Sequence, residues 1–179
     1  TRKESSAASD VYKRQAVELV ITAMDISICF ADFPTEAIAE TTRNFRQLGI
    51  GYANLGALLM ALGLGYDSDG GRALAAAITS LMTGVSYRRS AELAAIVGPY
   101  AGYAKNAEPH QAVMAKHRDA NRQVHPLHDN DTAALAAAKA EWDKVIKLGH
   151  ANGFRNAQAS VLAPTGTIGF MMDLSLIHI

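Results

Sequence analysis

The stretch that decides the fold is residues 67–97, which read DSDGGRALAAAITSLMTGVSYRRSAELAAIV. Its large apolar residues recur every three or four positions, at Leu74, Ile78, Leu81 and Val85. This period places them on one face of an α-helix. The polar cluster at residues 67–69 offers N-cap acceptors, and Gly98 with Pro99 ends the helix. Residues 67–97 are therefore expected to form one long helix with a single apolar stripe.

The same periodicity predicts further helices on both sides of this stretch. They are expected at about residues 16–32, 34–46, 52–62, 108–123 and 132–150, the last capped by Asn130 or Asp131. Gly49 and Gly51 are interpreted as breaks between helices. Only residues 159–163, an apolar run before Pro164, resemble a short buried strand. We predict a predominantly α-helical fold with one or two short strands.

The composition is that of a folded domain. The chain has 179 residues, 49% of them hydrophobic and 19% charged, and its 17 basic residues balance its 17 acidic ones. Because the chain is neutral, neither nucleic acid nor an anionic membrane is expected as a partner. The one cysteine, Cys29, cannot form an intramolecular disulfide, and no apolar run is long enough to span a membrane. These features favour the cytoplasm.

Both ends of the sequence are interpreted as artefacts. Residues 10–15 can be encoded by GATGTGTATAAGAGACAG, whose reverse complement encodes residues 174–179. This inverted element resembles a transposase-based sequencing adapter, and residues 5–9 resemble the translated primer in front of it. We therefore predict that residues 1–15 and 174–179 are adapter-like and that residues 16–173 are an internal fragment of a longer protein. A natural Ser-rich N-terminal tail is the alternative.

The segment most suggestive of chemistry is residues 161–169, VLAPTGTIG, in which an apolar run leads into glycine and threonine. Glycine lets the backbone approach a ligand closely, and successive N–H groups can converge on phosphate oxygens. The hydroxyl groups of Thr165 and Thr167 add donors. No lysine follows Gly166, so the segment is not a Walker A loop. The pattern alone leaves two interpretations open, a phosphate site and an ordinary strand-to-turn junction.

The cysteine and the histidines are expected to have structural or solvent-exposed roles. Cys29 lies in an apolar helical run without a nearby basic residue, so a buried, inert thiol is expected. His125 and His128 have no carboxylate or thiol pair that would complete a metal site, so they are interpreted as solvated loop residues. His110 and His117 are expected on the exposed face of a polar helix. No metal site is assigned.

Three large side chains of the predicted helices are expected to support packing. Arg88 and Arg89 could approach an anion, but a partly buried pair that packs along a long helix is the favoured interpretation. Trp142 is predicted to be a core anchor, because a large ring within an Ala-rich helix fills space between helices.

Four stretches together resemble one family. They are residues 43–56 (RNFRQLGIGYANLG), 66–68 (YDS), 155–158 (RNAQ) and 163–168 (APTGTI). In order and spacing they are similar to the large catalytic chain of ribonucleotide reductases. Residues 16–33 and 163–173 look closest to the adenosylcobalamin-dependent (class II) enzymes, and the resemblance covers nearly all of residues 16–173.

The resemblance implies a piece of a ten-stranded α/β barrel that reduces ribonucleotides, expected to be diphosphates, to 2′-deoxyribonucleotides. In that family homolysis of a cobalt–carbon bond generates a thiyl radical, which abstracts the ribose 3′ hydrogen, and two further cysteines supply the reducing electrons. An asparagine and a glutamate lie near the radical cysteine. This chain has one cysteine, Cys29, and the residues around it do not match the family's Asn-x-Cys-x-Glu motif. No catalytic residue is carried over, and the fragment alone is expected to be inactive.

The resemblance also implies a role for the segment after Pro164. In the family the matching loop binds the phosphates of the substrate, so Thr165, Gly166, Thr167 and Ile168 are expected to do so here. For the parent enzyme the resemblance implies adenosylcobalamin as cofactor, a ribonucleotide substrate, a dithiol reductant and a homodimer.

Two alternative functions are kept. The first is the class I large subunit, which shares the phosphate loop and takes its radical from a separate protein. The second is a non-catalytic helical interaction module. The isolated fragment is expected to be poorly stable or to associate, because helices cut from a barrel expose apolar faces. A sharp, reversible melt at micromolar concentration would contradict that expectation.

Overall fold

The computed structural model describes residues 2–164, 166 and 168, with side chains from residue 14 onward. The regular structure in this part of the chain is helical apart from one isolated β-bridge, which confirms the predicted predominance of helix but not the one or two short strands. The helices are α1 (Arg2–Ile28), α2 (Glu36–Phe45), α3 (Leu55–Ala61), α4 (Asp69–Val97), α5 (Tyr103–Gln123) and α6 (Asp129–Asn152). None of the described helices is both long and apolar enough to cross a membrane.

The helix starts follow from side-chain capping. The hydroxyl of Ser68 accepts a hydrogen bond from the N–H of Gly71 (3.0 Å), so the predicted polar cluster caps α4. The prediction for α6 was wrong by a few residues, because its N-cap is His128 and not Asn130 or Asp131. The carboxylate of Asp131 accepts from the N–H groups of Leu127 and His128 (3.2 Å each), which extends the helix toward its N-terminus.

Helix α1 differs from the prediction at both ends. It begins at Arg2, within the residues predicted to be adapter-like, and it ends at Ile28 and not near Asp32. The N–H groups of Cys29 and Phe30 bond to carbonyls three residues earlier, so the last turn tightens and the chain leaves the helix. The origin of residues 1–15 and 174–179 stays a prediction.

Helix α4 lies at the centre of the core. It packs most extensively against α6 and also contacts α1, while α5 packs against α6. The predicted stripe is confirmed at Leu74, Leu81 and Val85, which are buried, whereas Ile78 is only half-buried. Residues 81–88 are all buried, so the middle of α4 is enclosed on every side. Trp142 of α6 is 1% exposed and packs within this core, which confirms it as an anchor.

The predicted buried strand at residues 159–163 was wrong in its extent. A parallel bridge joins Ile50 to Ser160, and three backbone hydrogen bonds of 2.8–3.0 Å link residues 48–50 to residues 158–161. We call these two segments the parallel pair. Ala159 is buried, but Val161 and Leu162 are 41% and 63% exposed. Burial on one side only is typical of a strand-like segment that lacks a second neighbour within the described residues.

Candidate functional site

A buried carboxylate organises the chain near the parallel pair. Asp25 of α1 accepts a hydrogen bond from Nε of Arg46 (2.9 Å), from Nε of Arg155 (3.3 Å) and from Nδ2 of Asn156 (2.9 Å). Two guanidinium groups and one amide therefore surround one carboxylate, which compensates the cost of burying its charge. The predicted motifs at residues 43–56 and 155–158, far apart in sequence, meet at this carboxylate. We call Asp25, Arg46, Arg155 and Asn156 the Asp25 cluster.

The Asp25 cluster was missed by sequence reasoning. The sequence contained a local signal, because the spacing of Ile21, Asp25 and Ile28 places the carboxylate on the same helical face as two apolar side chains. In the structure this face is buried. A carboxylate on a buried face needs partners, and here they come from residues that are 21 to 131 positions away in the sequence.

Two glycines allow the parallel pair to form. A Cβ atom at Gly49 would lie 2.8 Å from Cγ1 of Val161, and one at Gly51 would lie 2.7 Å from the carbonyl oxygen of Val161. Both distances are shorter than side chains tolerate, so any larger residue would push the two segments apart. The interpretation of these glycines as simple breaks was therefore incomplete. They bring residues 158–161 close to residues 48–51, and the chain then leads directly into Pro164.

The predicted phosphate segment, residues 165–168, is described in part. Gly166 and Ile168 have helical backbone and are exposed, while Thr165 and Thr167 lie outside the described residues. The φ angle of Gly166 is not in the left-handed region, and a Cβ atom built on it would meet no described atom within 4 Å. Neither backbone conformation nor packing against the described residues therefore requires glycine here.

The environments of Cys29 and His110 were predicted wrongly. Cys29 is exposed, and Nη2 of Arg46 lies 3.6 Å from its sulfur, because α1 ends just before it and Arg46 reaches Asp25 one turn away. His110 is buried, although α5 as a whole is polar. Its ring stacks on Phe154 at 4.5 Å, and its Nδ1 lies 3.2 Å from the hydroxyl oxygen of Tyr100.

Burial changes the proton affinity of His110. It lowers the pKa of the imidazole to about 4, so the ring is neutral at pH 7. Its Nε2 has no hydrogen-bond partner among the described residues.

The other histidines agree with their predictions. His125 and His128 are exposed, and His117 is exposed while stacking on Trp142. The described residues contain no cluster of three potential metal ligands.

A second buried charge cluster joins α1, α4 and α6. The guanidinium of Arg88 donates hydrogen bonds to the carboxylates of Glu18, Glu92 and Glu141, the last of which is also buried. Desolvation alone would lower the pKa of Arg88, but the carboxylates of Glu92 and Glu141 outweigh it and raise that pKa. Arg89 bonds to Glu92 and is half-buried. The prediction of a packed arginine pair is confirmed, and both arginines are occupied by partners within the chain.

Comparison with known proteins identifies the family to which the chain belongs. The profile of the family described as ribonucleotide reductase, barrel domain, matches residues 3–176. The chain belongs to this family, as its motifs predicted.

Individual relatives show which members of the family the chain is similar to. A vitamin B12-dependent ribonucleotide reductase of Streptantibioticus cattleyicolor is 74% identical over 159 residues, which cover 89% of this chain and 26% of that protein. The protein of the same name from Streptomyces coelicolor is 72% identical over 159 residues, covering 89% of this chain and 16% of that protein. The one from Rhodopirellula baltica is 48% identical over 161 residues, covering 89% and 15%. The chain thus spans about a quarter or less of the length of these relatives.

Proposed function

We propose that this chain is part of the catalytic barrel of a vitamin B12-dependent ribonucleotide reductase that converts ribonucleoside diphosphates to 2′-deoxyribonucleotides by thiyl-radical chemistry. In this proposal the chain supplies a helical scaffold and the segment that holds the substrate's phosphates. The family match and the names of the relatives support the reaction class. They also favour the B12-dependent enzyme over the class I large subunit.

The phosphate role rests on one observation at Gly166. At Gly166 neither the φ angle nor packing against the described residues gives a reason for glycine. Close approach of a ligand is a sufficient reason, because the absence of a Cβ atom exposes the backbone N–H groups on both sides. Fixed N–H dipoles, together with the hydroxyls of Thr165 and Thr167, would hold the phosphate end of the nucleotide. This holds the ribose in one orientation, which is a positioning role and forms no bond.

The described residues that precede this segment are held by specific contacts. The parallel pair ends at residue 161, the Asp25 cluster holds the start of the same stretch at residues 155 and 156, and the phosphate segment follows within a few residues. A phosphate site needs rigid donors, because donors that must be ordered on binding reduce the affinity.

The described residues do not fit the cofactor. Two surface hollows are present, of about 400 and 540 Å³, and both are in the range of pockets for small ligands, whereas a corrin with its nucleotide tail is larger. Adenosylcobalamin is proposed as the cofactor of the parent enzyme, and no described residue is assigned to its site.

The remaining parts of the proposal concern the intact enzyme. Since the family chemistry uses three cysteines and this chain has one, which is exposed beside Arg46, the chain alone is proposed to be inactive. A dithiol reductant, a homodimer and a cytoplasmic location are proposed for the parent. A helical interaction module without catalysis is the alternative from another class, and a defined protein partner for residues 16–173 alone would favour it.

The test uses a chimera in which residues 16–173 of this chain replace the matching stretch of the Streptomyces coelicolor enzyme. Gly166→Val should weaken binding of a ribonucleoside diphosphate at least about tenfold while leaving cobalamin binding unchanged, since valine blocks the approach of phosphate. Equilibrium dialysis of each ligand measures both. Gly56→Val is the matched control, because a Cβ atom at Gly56 also meets no described atom within 4 Å. Unchanged nucleotide affinity in the Gly166 variant would refute the phosphate role.

A further inference from the structure

A chain of hydrogen bonds across three helices fixes the orientation of the amide of Asn121. Nε1 of Trp142, which can only donate, donates to Oγ of Ser80 (3.0 Å), and the hydroxyl of Ser80 donates to Oδ1 of Asn121 (2.6 Å). Because the hydroxyl accepts from the indole and has a single proton to donate, the amide presents its oxygen to Ser80. Asn121 is 6% exposed, so this orientation is held within the packing of α4, α5 and α6.

The nitrogen of this amide is left for another partner. Nδ2 of Asn121 has no hydrogen-bond partner among the described residues, and it is not sealed from solvent. Asn121 lines the surface hollow of about 400 Å³, and since its oxygen is bound to Ser80, its nitrogen is the polar atom that remains to face this space. We call this hollow the α5–α6 hollow; its described lining residues are Asn121, Arg122, Leu135, Ala136 and Lys139.

The charged side chains of the α5–α6 hollow are both cationic. Lys139 is exposed and forms no ion pair with the described residues. The side chain of Arg122 is 51% exposed, and its one ion pair is a contact of 3.4 Å to Asp119, whose carboxylate also accepts from Arg118 at 2.9 Å. None of the described lining residues is acidic. The hollow therefore offers N–H donors and positive charge, with no carboxylate in its described lining to neutralise them.

The rest of the lining is apolar. Leu135 is 8% exposed and lies beside Ala136, so the donors adjoin a dry surface that strengthens their electrostatic attraction. Sites for small molecules typically combine such a surface with a few polar groups. An amide N–H, an ammonium and a guanidinium can only donate, so the ligand that matches them has only acceptors and carries negative charge.

We propose that the α5–α6 hollow binds a small molecule through an oxyanion, either a phosphate or a carboxylate group. Nδ2 of Asn121 donates to one oxygen of this group, and Lys139 and Arg122 supply the opposite charge. The hollow is built from α5 and α6 alone, so the inference does not rest on the proposed phosphate role of residues 165–168.

The experiment uses the whole chain with two probes, inorganic phosphate and acetate, at an ionic strength kept constant with sodium chloride. Equilibrium dialysis gives the affinities, and the fluorescence of Trp142, the only tryptophan, reports binding through its hydrogen bond to Ser80. At least one probe should bind saturably with a dissociation constant of about 1 mM or less. The tighter probe identifies the phosphate or the carboxylate group. Absence of saturable binding of both probes would overturn the inference. If the chain associates, the Streptomyces coelicolor chimera is dialysed in its place.

Variants assign the binding to the hollow. Asn121→Asp keeps an oxygen for Ser80 and replaces the N–H donor by a carboxylate oxygen, so the affinity should fall at least about tenfold. Lys139→Gln removes one exposed charge and should weaken binding about threefold. Lys147→Gln is the matched control, because Lys147 is an exposed lysine of the same helix that does not line the hollow, and the affinity should stay unchanged.

The outcomes separate this hollow from other anion sites. If Lys147→Gln weakens binding as much as Lys139→Gln, the anion responds to overall charge and the inference is wrong. If Gly166→Val abolishes phosphate binding and the Asn121 and Lys139 variants do not, the anion lies at residues 165–168, and the inference is wrong while the proposed function stands. If Asn121→Asp does not fold, circular dichroism shows it, and the exposed Lys139 variant decides.

Discussion

The helical core and the parallel pair differ in how completely the chain buries them. In the core, Trp142, Val85 and Val145 are fully enclosed by α1, α4 and α6. In the parallel pair Ala159 is enclosed, but Val161 is 41% exposed, and Leu162, which follows the pair, is 63% exposed. The centre of the core is thus fully buried within the described residues, whereas the pair has an apolar side that nothing in the described structure covers.

This difference separates the source of stability from the proposed source of function. Apolar burial, which dominates folding free energy, is concentrated where α4 meets α6. The residues proposed to bind phosphate follow a segment with little burial. Besides the Asp25 cluster and the backbone hydrogen bonds of the parallel pair, few contacts hold that segment in place. Substitutions in the two regions should therefore have different consequences, global in the core and local in the pair.

The largest expected effect is in the core, on replacing its one tryptophan. Trp142→Ala removes a fully buried ring and leaves a cavity, which should lower the free energy of unfolding by about 3–5 kcal/mol. Urea unfolding of this chain, followed by circular dichroism at low micromolar concentration, measures the change. Met60→Ala is the control, because Met60 is 75% exposed and its loss should cost less than about 0.5 kcal/mol. Equal effects of the two substitutions would show that the core is not where stability resides.

The next largest effect is a pH dependence centred on His110. Its folded pKa of about 4 lies below the ordinary value, so the unfolded chain takes up the proton first. Its contribution to stability is therefore complete above pH 6.5 and is lost as the pH falls toward 4, by up to about 3 kcal/mol. The phenols of the neighbouring Tyr87 and Tyr100 do not titrate in this window, because their ordinary pKa of about 10 lies far above it and burial raises the pKa of each further.

A ring without a titratable nitrogen tests this dependence. In His110→Phe the loss of stability between pH 6.5 and pH 4 should be smaller than in the unchanged chain, as urea unfolding at each pH would measure. His125→Gln removes an exposed histidine and should leave the pH profile as it is. A His110→Phe profile parallel to that of the unchanged chain would contradict a buried neutral imidazole.

The sequence predicted well those features that depend on neighbours along the chain. Periodicity located α2, α4, α5 and α6 to within about five residues at each end, and the predicted polar cap was correct for α4, because a helical face and an N-cap are decided within a few residues. Features decided by distant partners were missed. The burial of His110 depends on Phe154, and that of Asp25 depends on Arg46 and Asn156, none of which is close in sequence.

The residues of the candidate site also fall into these two groups, those that the sequence predicted and those that depend on distant partners. Its residues 165–168 came from a motif and a family resemblance, which need no three-dimensional information. The roles of Gly49, Gly51 and Asn156 could not be inferred from the sequence. Each acts through a contact that forms only when segments about 110 residues apart meet.

The smallest expected effect is in the parallel pair, where Gly51→Ala would place a Cβ atom 2.7 Å from the carbonyl oxygen of Val161. Relief of this clash should separate the pair locally at a cost of about 1–2 kcal/mol, with α4 and α6 unaffected. Hydrogen exchange should therefore accelerate at the N–H groups of Ile50 and Val161 and stay unchanged at residues 81–88, which the core encloses. Gly56→Ala, which meets no described atom, should change neither rate. Faster exchange throughout α4 in the Gly51 variant would show that pair and core unfold as one unit, and the proposed separation of stability from function would then be wrong.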